Sequence, residues 1–350
     1  MKYKFILFLL FITLNVYAKS GAAILLYHHV SNTTPASTSV SIETFKKHLD
    51  YLHDNGFNVL PLNKILTTLS QGKELPAQSV AITFDDAYES ILHNALPLLK
   101  EKKYPFTVFI NTQSIDAGYK NYLTWDELKE LQKHNALIAN HTHSHLHMTR
   151  RAKNETKEAW KKRVKKDILI AKQILKEKLN VSNDLFAYPY GEYNKDVEDI
   201  LKSLGYFGIA QQSGAIGLEF NKYEVPRFPM ATNYSDMKRF ATSVNSKQLP
   251  VKNVNIGSRE LLSSNTAEYD FSFELKEGNY IKHYLACYSS SGEKLEMKVD
   301  DMKVTMSLPN WKEGRRKINC TAPSKTQKGV FYWYSQLWLV KKSDGSWYKE

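Results

Sequence analysis

The chain has 350 residues, 48 Lys and Arg against 36 Asp and Glu for a formal charge of +12, and 42% hydrophobic and 12% aromatic residues. That apolar content excludes a disordered chain, and the length carries two domains of roughly 150 residues each. The basic surplus is scattered along the chain, which fits either ordinary solubility charge or contact with an anionic envelope surface, and no nucleic-acid partner is expected.

The N-terminus opens with Lys2 and Lys4, followed by an apolar stretch from Phe5 to Val16 broken only by Thr13 and Asn15. Val16-Tyr17-Ala18 then places small residues where a signal peptidase reads them. The stretch is shorter than the ~20 apolar residues that span a bilayer, so residues 1–18 are expected to be a cleaved signal peptide. The mature chain would start near Lys19 with a charge of about +10, since the segment removed carries two Lys and no acid. It would be secreted or periplasmic. In that compartment two cysteines lying close together in the chain, Cys287 and Cys320, are expected to form a single disulfide.

From Ala22 to about Met230 the chain alternates short apolar runs with amphipathic stretches. The runs 23–27, 80–84, 106–110, 136–139, 185–188 and 207–210 read as buried strands. Helices are expected over 44–52, with Ser41 as its cap, over 91–99, from Thr124 onward, and over the charged segment 153–178. Repeated strand–helix units of this kind predict an α/β fold with a parallel sheet, specifically a distorted (β/α)7-type barrel over 19–240. Its chemistry should then sit on loops at the C-terminal ends of the strands. After about Asn253 the texture changes to period-two alternation (Tyr269 to Phe273) and aromatic strands (Phe331 to Tyr334) separated by turn signals. This predicts a small all-β sandwich over 256–350, with 241–255 as a linker.

Five clusters carry the chemistry. Asp85-Asp86 ends one strand, so that its two carboxylates point in different directions and can take different jobs, one as a metal ligand and one as a base. His141-Thr142-His143-Ser144-His145-Leu146-His147 follows another, with four imidazoles in seven positions. Spacing alone leaves the pairs 141/145 and 143/147 equally good. One Asp with two His makes a ligand set with open positions, suited to Zn²⁺ or another divalent ion in a catalytic site. Tyr27-His28-His29 ends the first strand and offers a general acid. Tyr188-Pro189-Tyr190-Gly191 forms a turn after a further strand. Arg227 is a candidate to orient a carboxylate by a two-pronged contact.

These residues resemble the polysaccharide deacetylase (NodB-homology) superfamily, carbohydrate esterase family 4, over about residues 22–235. Its first motif is matched by Thr83-Phe84-Asp85-Asp86 and its second by His141-Thr142-His143-Ser144-His145. The resemblance implies Asp85 as the catalytic base and Asp86, His141 and His145 as ligands of a divalent metal, Zn²⁺ first with Co²⁺ or Ni²⁺ as alternatives. His143 and His147 then fall outside the set. The third motif is similar to Tyr188-Pro189-Tyr190-Gly191, which implies that the Tyr190 N–H helps form an oxyanion hole. Three departures stand out. Ala87 replaces a usual glycine, Tyr188 replaces a usual arginine for which Arg227 is the available substitute, and the late Leu-x-His motif with its general acid is missing. The branch acting on poly-N-acetylglucosamine has its motifs circularly permuted and opens on a Tyr-His strand, which makes His28 the general-acid candidate. The implied activity is hydrolysis of N-acetyl groups from an amino-sugar polysaccharide or glycoconjugate. The alternative is a non-catalytic carbohydrate-binding protein, with the C-terminal tryptophans Trp311, Trp333, Trp338 and Trp347 as sugar-stacking platforms, although a β-sandwich core uses Trp as well and core packing is the first expectation for them.

Overall fold

A computed structural model describes residues 21–349, so the expected signal peptide at 1–18 lies outside the described residues. The strands Gly21–Tyr27 (β1), Ser79–Asp85 (β2), Phe106–Ile110 (β3), Ala136–Asn140 (β4), Leu185–Ala187 (β5) and Phe207–Ile209 (β6) pair in parallel in that order. The short strand Ala215–Gly217 (β7) runs antiparallel to the first half of β1. Residues 225–229 then close the curl. Val225 bridges Ile209 of β6, and Phe228-Pro229 pairs in parallel with Leu25-Leu26. This is the expected distorted (β/α)7 arrangement, with a minimal seventh strand.

Strand alternation separates two apolar layers. Ala23, Leu25, Val80, Ile82, Phe84, Phe106 and Val108 face outward onto helices through Phe45, Leu49 and Leu52. Ala22, Ile24, Ala81, Phe109, Ala139, Ala187 and Ile209 share the other, inward cluster. Thr83 and Asp85 continue the inward set of β2, and both are fully buried.

The helix expected at 44–52 spans Ile42–Asp54, with Ser41 accepting from the Thr44 N–H. The charged helix starts at Lys157, because the Thr156 side chain caps the Ala159 N–H, and runs to Leu179. Residues 91–99 open as a wide π turn over Ile91–Ala95 before the α-helix Leu96–Glu101. The helix expected from Thr124 spans Trp125–Gln132 and joins Lys195–Leu204 and Met237–Asn245 on the outside, whereas Leu62–Ser70 packs its apolar face into the inward cluster.

The C-terminal region contains the expected β-sandwich. One sheet includes Ala286–Ser289, Gly314–Pro323 (β8) and Phe331–Lys341 (β9); the other runs Val251–Asn255, Asp270–Leu275, Lys303–Ser307, Lys298–Asp300. Residues 241–255, expected as a linker, hold the end of a helix and the strands Lys247–Gln248 and Val251–Asn255, the first of which pairs with β9. Cys287 and Cys320 face each other across Ala286–Ser289 and β8 and form the expected disulfide. Trp311 and Trp338 sit in the sandwich core, while Trp333 packs against the barrel layer beside Phe228. These three are core residues, which removes most of the proposed stacking platform. Leu337 and Leu339 of β9 pack with Tyr188, Tyr193 and Leu201, so the sandwich shares an apolar seam with the barrel. Among the described residues no helix is long and apolar enough to cross a membrane.

Candidate active site

Three ligand atoms from two strand ends converge at one end of the barrel. Asp86 follows β2 with φ 73°, and Ala87 continues at φ 60°, so the chain turns sharply after Asp85. A left-handed alanine carries a steric cost that glycine would avoid, which explains why the departure at Ala87 is unusual. The histidine loop after β4 is folded by its own polar side chains. Asn140 Oδ1 accepts from the Thr142 N–H at 2.8 Å, and Thr142 Oγ1 from the His145 N–H at 3.0 Å. From the long helix, Asp167 accepts the His143 and Ser144 N–H groups at 3.0 and 3.2 Å.

This geometry chooses between the histidine pairs. Asp86 Oδ1 lies 3.3 Å from His145 Nε2 and 3.5 Å from His141 Nε2. One ligand atom from each of Asp86, His141 and His145 falls within 4.8 Å of the others. His143 instead bonds Thr112 Oγ1 at 2.8 Å, and His147 bonds Glu192 at 2.9 Å, so both are turned away. The His141 Nδ1–H donates to the Ala187 carbonyl at 2.8 Å, which turns the Nε2 lone pair toward Asp86. Burial pushes the His141 imidazole down to about 4, so it is neutral, as a metal ligand must be. Asp86 Oδ1 is buried without a hydrogen-bond partner. A buried carboxylate oxygen facing imidazole lone pairs is costly unless a cation joins them, and the donor set fits a divalent ion.

Asp85 points into the barrel. Arg227 grips it from the closing segment, with Nη1 to Oδ1 at 2.7 Å and Nη2 to Oδ2 at 2.8 Å, and both side chains are fully buried. Arg227 Nε donates to the Ala210 carbonyl at 2.9 Å and Nη1 to Thr83 Oγ1 at 3.2 Å. Burial pushes the Asp85 carboxyl up, but the Arg227 charge and hydrogen bonds outweigh it and hold it below the usual range. Tyr188, standing where the motif has arginine, is buried and donates its hydroxyl to the Tyr223 carbonyl at 2.9 Å, away from Asp85. A Cβ at Gly208 would come within 2.3 Å of that hydroxyl, so the glycine makes room for the tyrosine.

The three residues after β1 part ways. Tyr27 turns into the core, its hydroxyl donating to His48 Nδ1 at 2.9 Å while the His48 Nε2–H donates to the Ser235 carbonyl at 2.8 Å. His29 stacks on Tyr88 at 3.7 Å. Only His28 lines the cleft of about 600 Å³ that also exposes Asp86, His141, His145 and Tyr190. Tyr190 has φ 59°, its ring stacks on His147 at 3.9 Å, and its carbonyl accepts from Arg315 at 3.1 Å.

Several contributors were not found in the sequence. Gln211 Nε2 reaches Asp85 Oδ2 at 3.4 Å, and Glu192 anchors His147, Arg150 and Tyr348 together. Arg315 and Lys317 enter the cleft from β8 of the sandwich. Nothing local marks these residues, because their partners are brought together only by the tertiary fold.

The polysaccharide deacetylase family pattern matches residues 72–209, which includes Asp85, Asp86, His141, His145 and Tyr190. A poly-beta-1,6-N-acetyl-D-glucosamine N-deacetylase of Staphylococcus aureus is 31% identical over 209 residues, covering 58% of this chain and 71% of that protein. The chain belongs to the polysaccharide deacetylase family. Two solved structures share the fold. The Streptococcus pyogenes deacetylase PplD aligns with a TM-score of 0.58 at 21% identity, over 65% of this chain and 99% of that one. IcaB from Ammonifex degensii aligns at 0.56 and 21%, over 65% and 98%. Family membership favours the enzyme over the binding-protein alternative, as does the burial of three of the four tryptophans.

Proposed function

We propose that this polysaccharide deacetylase is a metal-dependent enzyme hydrolysing N-acetyl groups from an amino-sugar polysaccharide or glycoconjugate of the cell envelope or biofilm. The observation that carries the reading is the orphaned Asp86 Oδ1 facing two imidazole nitrogens beside the Asp85–Arg227 pair, in an open cleft at the end of the barrel. Asp86, His141 and His145 would hold the ion, Zn²⁺ first, with Co²⁺ or Ni²⁺ as alternatives. A divalent cation there supplies Lewis-acid polarisation of the acetamide carbonyl and acidifies water.

The protein's own residues do the rest. Asp85, kept ionised and oriented by Arg227, takes a proton from the water that adds to the acetamide carbon. The Tyr190 N–H donates to the oxygen that becomes negative in that addition. His28, on the open side of the cleft, gives a proton to the nitrogen as the C–N bond breaks, releasing acetate and a sugar amine. The His141 Nδ1–H bond to Ala187 fixes its ring throughout.

Poly-N-acetylglucosamine is the leading substrate, supported by the named activity of the S. aureus relative. Export is supported by the N-terminal pattern and by the Cys287–Cys320 bridge, which persists in oxidising compartments. The barrel at 19–240 would be the catalytic domain, and the sandwich at 256–350 an accessory one. The test is mass-spectrometric detection of acetyl loss from N-acetylated glycans with Zn²⁺, with chelator, and with Asp85→Ala. Metal-dependent loss that the variant lacks is expected; loss that ignores the chelator would sink the metal role.

A further inference from the structure

The cleft over the candidate metal site does not end at the barrel. A second cavity of about 590 Å³ continues it, and the two share Pro229, Arg315 and Lys317. One wall of the second cavity is the outer face of β8. Arg315, Lys317, Asn319 and Thr321 all line it, while the alternate residues Ile318, Cys320 and Ala322 belong to the sandwich core. Period two therefore presents a straight row of long polar side chains to the groove. Tyr288, on the neighbouring strand opposite Asn319, adds an exposed aromatic face. The barrel supplies the facing wall through Tyr234 and Arg239, whose guanidinium lies 5.5 Å from the Tyr234 ring and 4.8 Å from that of Trp333.

The charge of this groove is one-sided. Three cations line it, and among the described residues no Asp or Glu does. Lys317 Nζ bonds the Gln211 carbonyl at 2.7 Å, and no described carboxylate lies within salt-bridge distance of it. Gln211 in turn reaches Asp85, so the row begins beside the reacting centre. Aromatic faces, amide and hydroxyl groups and cations together suit a sugar chain, and an ammonium group entering among them would be repelled.

We propose that the C-terminal sandwich supplies sugar subsites continuing the deacetylase cleft, and that its cations select acetylated or acidic glycan over glycan already deacetylated. This rests on the deacetylase reading above. It assigns the sandwich a direct part in substrate choice, and it makes the enzyme leave spaced rather than contiguous free amines, because each product amine weakens binding of the next segment.

The test uses the full chain loaded with Zn²⁺ and three substrates at slightly acidic pH, where a sugar amine is charged. These are an N-acetylglucosamine dimer, a fully acetylated hexamer, and a hexamer with one free amine next to the reacting unit. The wild-type enzyme should favour the hexamer over the dimer in kcat/KM by about tenfold, and the acetylated over the amine-bearing hexamer by about tenfold. Tyr288→Ala should shrink the first ratio and Lys317→Gln the second, with unfolding curves confirming that both variants are folded. Wild-type ratios near one, or variants that leave both ratios unmoved, would overturn the subsite proposal. Wild-type inactivity on all three glycans would instead overturn the deacetylase reading on which it stands.

Discussion

Arg227 holds Asp85 by both oxygens at 2.7 and 2.8 Å, with neither side chain reaching solvent, although 142 residues separate them in sequence. Removing one partner of such a pair leaves a buried charge uncompensated, at a cost of about 3–5 kcal/mol. Arg227→Met should therefore lower the unfolding temperature strongly and also reduce deacetylation by at least roughly 10² through loss of Asp85 orientation. Arg227→Lys restores the charge without the planar fork, so it should recover stability better than activity. Thermal unfolding alongside kcat measurements would separate the two; equal recovery of both would argue against a positioning role.

Metal binding and base function should come apart in neighbouring variants. On the proposed ligand set Asp86→Asn weakens one of three ligands, so elemental analysis of protein purified with Zn²⁺ should find far less metal in the variant than in the wild type. Asp85→Asn retains all three ligands and a hydrogen-bonding partner for Arg227. It should keep its metal while deacetylation falls by roughly 10² or more. Loss of metal in Asp85→Asn would move Asp85 into the ligand set and away from the base role.

Most of the barrel was legible because its strands are short apolar runs followed by the residues that carry chemistry, as at Phe84-Asp85-Asp86 and Ala139-Asn140-His141. Alternation along β2 alone implies that Asp85 shares the face of Ala81 and Thr83. The choice of His141 and His145 over His143 and His147 was not available from spacing, since both pairs are four apart. The structure shows the physical reason: Thr112 and Glu192 take the other two rings. Gln211, Arg315 and Lys317 carry no local signal at all: Gln211 meets Asp85 only once the barrel strands assemble, and Arg315 and Lys317 reach the cleft only once the sandwich docks on the barrel. The tryptophans left core packing and a sugar platform both open, and the fold puts three of the four in the core. An aromatic-rich strand reads the same whether it faces sugar or core, and Trp338 is wholly buried.

The disulfide ties the strand that carries the groove cations. Cys287 and Cys320 are both fully buried and 33 residues apart, and closing a loop of that length constrains the unfolded chain by about 3–4 kcal/mol. The double variant Cys287→Ala, Cys320→Ala should unfold several degrees lower than the wild type at roughly 2–4 °C per kcal/mol. Unchanged unfolding temperature by calorimetry would mean that the bridge adds nothing to the sandwich.

A pH-dependent strain sits where sandwich and barrel meet. Arg259 Nη2 lies 2.7 Å from Glu224 Oε1 and 3.6 Å from Glu198 Oε1, so one guanidinium serves two carboxylates. Lys195 is the other cation near Glu198, at 3.8 Å and largely exposed. Burial, and then the Glu224 charge, push the Glu198 carboxyl up to about 7. The folded state thus prefers Glu198 protonated, while the unfolded chain ionises it near 4.3. The sign follows: this group's contribution is fully favourable below the unfolded value and is lost as pH rises through about 7. Glu198→Gln keeps the shape of the protonated form at every pH. Its unfolding temperature should match that of the wild type near pH 4 and exceed it by several degrees at pH 8. A difference that is constant across that range, measured by calorimetry in matched ionic strength, would show that Glu198 titrates alike in the folded and unfolded chain and would overturn the raised value.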